Sequence, residues 1–305
     1  MRRLLASELL RFRSRRLVVV LVGAALGGSA LGAVIAAWQS TPPTDAVLAS
    51  ARAQAEEEFR LCMSQDFGDE VFFEGSLEDF CRENAGNPSY YMPSHLALAE
   101  LPPILEGIAS LTSILGLVVG ASLVAASWQT GTISTIFTWE PRRLRWFAAR
   151  IAVIGAGVFA VTLVIVVFLS AVLALAAALR GSTALTDGWW RDTTTTTLRI
   201  AVIAAVAALI GGAVAAVGRH TSAALGVVFV YTAVLEGVVR AFRPLWSPWL
   251  LGDNIVSFVA WQTTEFGVES GSYVLSPGRA LFVILGYTVV ALGLGFTFVR
   301  IRDVQ

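Results

Sequence analysis

The sequence predicts an all-α, polytopic membrane protein with six transmembrane helices and both termini in the cytoplasm. Three observations carry that expectation. Hydrophobic residues make up 56% of the 305 positions and charged residues only 14%, with a mean hydropathy of +0.70. A soluble domain of this size would expose far more charge. Six apolar runs, at 17–38, 104–127, 151–179, 200–217, 223–242 and 280–299, approach or exceed the length needed for a crossing. About 20 apolar residues span roughly 30 Å of hydrocarbon, and a backbone in lipid must satisfy its own polar groups, so these runs are helices. Finally, thirteen of the 22 arginines fall in 1–16, 128–150, 218–222 and 300–305, whereas seventeen of the 22 acidic residues fall in the intervening outer segments. That bias sets the orientation.

The elements follow in order. Residues 1–16 read as a cytoplasmic interfacial helix: Met1, Leu4, Leu5, Leu9 and Phe12 gather on one side, with Arg2, Arg3, Arg11 and Arg13 around the others. Glu8 intrudes on the apolar side. A plain positively charged anchor fits these residues equally well. Arg15 and Arg16 ahead of an apolar run imitate a secretion signal, but 17–38 is too long and lacks a small-residue cleavage site, which favours an uncleaved first span.

Residues 39–103 form an extracytoplasmic acidic loop domain. Its stretch 39–100 holds twelve acidic residues against three arginines. Thr44 and Asp45 can cap a helix in which Val47, Leu48, Ala51, Ala55, Phe59 and Cys62 recur at helical spacing. Cys62 and Cys81, the only cysteines, lie in this oxidising compartment and are expected to form a disulfide. Closing that loop is worth about 3 kcal/mol on entropic grounds. The acidity reads as a solvated face, with attraction of a cationic substrate or partner as the other reading.

The second span, 104–127, follows Pro102 and Pro103 and carries Glu106 near its outer, wetted end. A cytoplasmic loop, 128–150, leads to 151–299, which holds the third to sixth spans and an outer re-entrant segment. In the fifth span Glu236 and Arg240 stand at i, i+4. Such an intramembrane charge faces protein or water, so it either lines a route or ties helices together. Gly116, Gly120, Gly211, Gly212, Gly293 and Gly295 permit close helix approach. Ile255, Val256, Phe258, Val259 and Trp261 make an apolar patch too short to span. Trp189, Trp190, Trp246 and Trp249 suit the membrane interfaces, and Thr193–Thr197 form a polar tract with no evident chemistry. A cytoplasmic tail, 300–305, ends the chain.

Several chemistries are excluded. The chain contains no lysine, so it cannot form a phosphate-cradling loop of the Gly-x-x-x-x-Gly-Lys-Ser/Thr kind. His95 and His220 fall on opposite sides of the membrane, and no serine-histidine-acid set or metal-ligand spacing is present. No catalytic, cofactor or metal site is expected, and nothing points to nucleic acid. A membrane-embedded enzyme would need polar residues clustered at one depth, which the spans lack.

Within 128–150, Ile133, Ile136 and Phe137 occupy one face of a short helix at 131–139, with Thr132, Ser134, Thr135 and Thr138 largely elsewhere. Pro141 suits the first turn of the next helix, and Arg142, Arg143, Arg145 and Arg150 precede the third span. Trp128-Gln-Thr-Gly-Thr, the Ile/Phe helix after it and Trp139-Glu-Pro-Arg-Arg resemble the cytoplasmic loop of ATP-binding cassette (ABC) transporter permeases of the type-2 exporter class. Glu8-Leu-Leu-Arg11 resembles that family's N-terminal helix. Members often carry an acidic residue before the aromatic; here Ser127 stands there.

The resemblance implies a type-2 permease architecture in a bacterial cytoplasmic membrane. This chain, with a second copy or a relative, would form a pathway in the membrane lipid. A separate ABC ATPase subunit, which binds the ATP and Mg, would grip the 131–139 helix. Gly131, Thr132, Ile133, Ile136, Phe137, Glu140, Pro141 and Arg142 would make that coupling interface, with the three apolar residues as buried anchors and Glu140 and Arg142 as polar flanks. Export of a lipophilic or peptide-like substrate is the implied activity. A non-transporting scaffold or sensor subunit is the alternative.

Overall fold

The computed structural model describes residues 2–65, 76–268 and 271–301. Met1 of the expected interfacial helix, Arg302 of the tail and part of the acidic loop lie outside the described residues. In chain order the helices are α1 (Arg2–Ser14), α2 (Arg16–Gln39), α3 (Asp45–Ser64), α4 (Leu77–Asn84), α5 (Leu101–Gln129), α6 (Thr132–Trp139), α7 (Arg143–Arg180) and α8 (Trp189–Gly218). They continue with α9 (Thr221–Phe229), α10 (Glu236–Phe242), α11 (Leu251–Ala260) and α12 (Pro277–Ile301). Six stretches are long and apolar enough to cross a membrane: α2, α5, α7, α8, α12 and Thr221–Phe242, in which a π-helical turn, Val230–Leu235, joins α9 to α10. The chain is thus a multi-pass α-helical membrane protein.

The helices outrun the apolar runs that nucleate them, most of all at α8, which starts at Trp189 and not near residue 200. The threonine tract is therefore its first turns. Thr193, Thr196 and Thr197 are buried there, and Thr195 donates to the Asp192 carbonyl at 3.2 Å. A hydroxyl bonded back to its own helix is tolerated in such a setting. Trp189 is buried as well, whereas Trp190, Trp246 and Trp249 are exposed.

The chain divides into two units. One comprises Met1–Gly28, Leu101–Phe168 and Gly188–Gln305. Its centre is the α5–α8 pair, each with 61% of its apolar window buried against 11% for α2 and for Thr221–Phe242. A Cβ on Gly120 would run into the carbonyl of Ala208, one on Gly116 into that of Ala204, and one on Gly211 into that of Leu117. The two backbones touch because those side chains are missing. Gly295 of α12 rests against Ala213, whereas Gly293 has open space beside it. Trp146 and Phe147 of α7 are fully buried, and Phe147 meets Phe296 of α12 edge-on at 4.9 Å.

The segment after the fifth span departs from the all-helical expectation. α11 is the short apolar helix expected around Ile255–Trp261, but a two-stranded antiparallel hairpin follows it. Its strands, β1 (Thr264–Val268) and β2 (Gly271–Leu275), pair Phe266 with Tyr273, whose rings stack at 5.5 Å. β1 alternates Thr264, Phe266 and Val268 with Glu265 and Gly267, while β2 ends in the run Tyr273, Val274 and Leu275; aromatic and β-branched residues suit a small pleated surface better than a helix. A polar network ties α11 to the fifth span. Arg240 bridges Glu236 at 3.2 Å and Asp253 at 2.8 Å, and Glu236 also accepts from the Gly252 amide at 3.0 Å. Tyr273 donates to Asp253 at 2.6 Å. Glu236 and Arg240 thus serve as a tie between elements. Glu106 is half-buried on α5 and interacts electrostatically with Arg199 of α8.

The other unit comprises Ser29–Glu100 and Leu169–Asp187. Thr44 caps α3 by accepting from the Val47 amide at 3.4 Å. Ser76 and Asp79 form a capping box on α4, and those hydrogen bonds hold the Asp79 carboxyl below its usual range. The Cys62–Cys81 disulfide joins α3 to α4 with a Cα–Cα distance of 5.7 Å. The Ser40 hydroxyl donates to the Arg180 carbonyl at 2.5 Å and accepts from the Leu96 amide at 2.9 Å. Reciprocal Leu96–Ser182 and Leu98–Ser182 backbone bonds at 2.9 and 2.8 Å complete the anchorage of this loop to the end of α7.

Candidate functional site

The short helix α6 is produced by a stop and a restart. Thr130 ends α5 by donating its hydroxyl to the Ala126 carbonyl at 2.8 Å. Gly131 then adopts a left-handed conformation, φ 66° and ψ 3°, which an L side chain would resist. Thr132 starts α6, its hydroxyl 3.4 Å from the Ser127 carbonyl. The helix closes at Glu140, whose amide donates to Ile136 at 2.9 Å. Pro141 precedes α7 without entering it: Arg142 holds the cap position, its carbonyl accepting from the Arg145 and Trp146 amides at 3.0 and 3.2 Å. The expected first-turn proline is therefore displaced outward by two residues.

The apolar face of α6 turns inward. Ile133 is only 3% exposed, and Ile136 and Phe137 are half-buried against the same core. Phe137 meets Trp146 of α7 edge-on at 5.4 Å, and the Arg143 guanidinium lies 5.5 Å over the Phe137 ring. Of these residues, expected as anchors for a partner, Ile133 is already covered by the chain's own helices and Ile136 and Phe137 partly so. Gly131, Thr132, Pro141 and Arg142 are exposed and Glu140 is half-buried. Ser134, Thr135 and Thr138 join them on the outer face. Two of these hydroxyls are satisfied locally, Ser134 by Gly131 at 2.8 Å and Thr138 by Thr135 at 2.6 Å. The outer face is polar but not demanding.

Next to this turn stands the only fully interior ion pair among the described residues. Arg150 donates from Nε to Glu8 Oε2 at 2.9 Å, with both side chains 5% exposed. Its Nη1 reaches the Ser127 hydroxyl and, at 3.4 Å, the Leu123 carbonyl. The guanidinium also lies 4.7 Å over the Trp146 ring. Arg11 supplies a second cation to Glu8 Oε1 at 3.3 Å. Glu8 thus marks the buried stripe of α1, together with Leu4 and Phe12, while Leu9 and Leu10 are exposed. Phe12 reaches deep because Gly157 of α7 leaves room for its ring.

Sequence reasoning singled out Arg150 as one of a basic cluster and Glu8 as an intruder. It did not connect them. The available signal was the conflict itself, because a carboxylate on an apolar helical stripe needs a partner. Trp146 was missed, having no distinguishing spacing within the loop. The site as built joins α1, α5, α6 and α7 through one buried charge pair and one aromatic cluster. No protein-family model matches this chain, and neither does any curated protein.

Proposed function

We propose that this protein is the membrane subunit of an ATP-driven transporter, a permease of the type-2 ABC exporter class, coupled to a separate ATPase through α6. One observation carries the reading: α6 is an eight-residue helix clamped on its inner side to the cores of both flanking spans and open on its outer side. A push on that outer face would reach α5 and α7 directly. Two discrete arrangements of packed helices are how such a push becomes rigid-body movement. The apolar spans suit a lipophilic or peptide-like substrate. The weakly covered sides of α2 and Thr221–Phe242 would face lipid or a second copy. In this reading the Arg-rich end, with α1 and α6, is cytoplasmic.

The test is copurification of the tagged chain with ATPase subunits from its native membrane. Thr135→Arg combined with Thr138→Arg, on the exposed face, should reduce ATPase retention at least about tenfold, the effect of roughly 1.4 kcal/mol, while thermal unfolding stays unchanged. Undiminished retention would reject α6 as the docking element. Phe137→Asp is no substitute, because it breaks the contact with Trp146 and unfolds the turn itself. A bound ATPase whose hydrolysis is indifferent to this chain would favour the scaffold or sensor reading.

A further inference from the structure

A cavity of about 320 Å³ opens between α1, the last turns of α5, the start of α6 and the first turns of α7. Its size falls within the roughly 300–1,000 Å³ of small-ligand sites. Three guanidinium groups line it, from Arg11, Arg15 and Arg150, against the single carboxylate of Glu8. Glu8 is already shared by Arg150 and Arg11. The cavity therefore carries two unbalanced positive charges.

Arg15 is the group without an explanation. It is half-buried, its side chain makes no hydrogen bond or ion pair among the described residues, and burial alone pushes its pKa down. Its like charge and that of Arg11 both act on Arg150. Holding a third arginine beside two others costs energy unless an anion occupies the space between them. Ser14, Ser127, Thr130 and Thr132 border the same space; the first, third and fourth hydroxyls donate to backbone carbonyls at 3.4, 2.8 and 3.4 Å, and Ser127, which accepts from Arg150, keeps its own proton to donate. Guanidinium groups with a hydroxyl beside them suit a phosphate, which accepts several charge-assisted hydrogen bonds at once.

The surroundings say where that phosphate comes from. Leu9 and Leu10 of α1 and Leu17, Val19 and Val20 of α2, which flank Arg11 and Arg15 in sequence outside the cavity lining, are exposed. Apolar side chains next to a basic cavity at the end of a membrane span match a headgroup with its acyl chains alongside. We propose that this cavity binds the phosphate of an anionic phospholipid, with Arg15 as its main ligand and Arg11 in support. Thr132 borders both this cavity and the proposed coupling surface, but lipid binding here requires no ATPase.

Native mass spectrometry of the purified full-length chain, titrated in detergent with phosphatidylglycerol, phosphatidylcholine or inorganic phosphate, tests this. One phosphatidylglycerol should be retained per chain in clear preference to phosphatidylcholine. Arg15→Gln should weaken that retention about tenfold, the loss of one charge-assisted contact, without lowering the Tm of the lipid-free chain. Arg16→Gln removes a neighbouring charge that does not line the cavity and should leave the preference intact. Equal retention of the two lipids, equal losses in the Arg15 and Arg16 variants, or protection by inorganic phosphate with no lipid preference would each overturn the assignment.

Discussion

Glu8 shows how one residue can look misplaced along a helix and be necessary in space. On α1 it interrupts an apolar stripe; in the fold it meets Arg150, 142 positions away. Removing one partner of a buried pair leaves the other charge uncompensated, which costs about 3–5 kcal/mol. Glu8→Gln should therefore lower stability by that order, read as a drop in the thermal unfolding midpoint in detergent. Glu8→Leu together with Arg150→Met should recover much of the loss, because neither charge is then stranded. A single variant as stable as the parent would show that the pair is solvated and unimportant.

Among the elements, the α5–α8 pair separates glycines that matter from glycines that do not. Six were nominated by their presence in spans, and spacing alone ranks none of them. The structure distinguishes them by what a Cβ would meet: the Ala208 backbone at Gly120, nothing within 4 Å at Gly293. Gly120→Leu should prevent the two backbones from approaching and abolish recovery of folded protein. Gly293→Ala should be tolerated or slightly stabilising, since alanine is the better helix former by about 1 kcal/mol. Size-exclusion profiles of both variants check this, and similar behaviour of the two would contradict the packing described. The β1–β2 hairpin belongs to the same scale: its two five-residue strands carried too weak a pattern to stand out beside six long apolar runs.

For the molecule as a whole, the described parts of the 39–100 region are held by the Cys62–Cys81 disulfide and by the Ser40, Leu96 and Ser182 hydrogen bonds. Reduction of Cys62–Cys81, or Cys62→Ser with Cys81→Ser, removes a constraint worth about 3 kcal/mol. Limited proteolysis should then cut within the 39–100 region first while the spans stay protected. Unchanged protease resistance would mean that the Ser40, Leu96 and Ser182 bonds alone suffice to hold the region. Composition and hydropathy were enough to read six crossings, the short helix at α6 and the cysteine pair, since each depends on local length, local periodicity or a count of two. Which face of α6 is covered, who neutralises Arg150, and which glycines touch a neighbouring backbone could not be read that way. Those outcomes depend on side chains brought together from distant parts of the chain, and helical periodicity says which residues share a face without saying what that face meets.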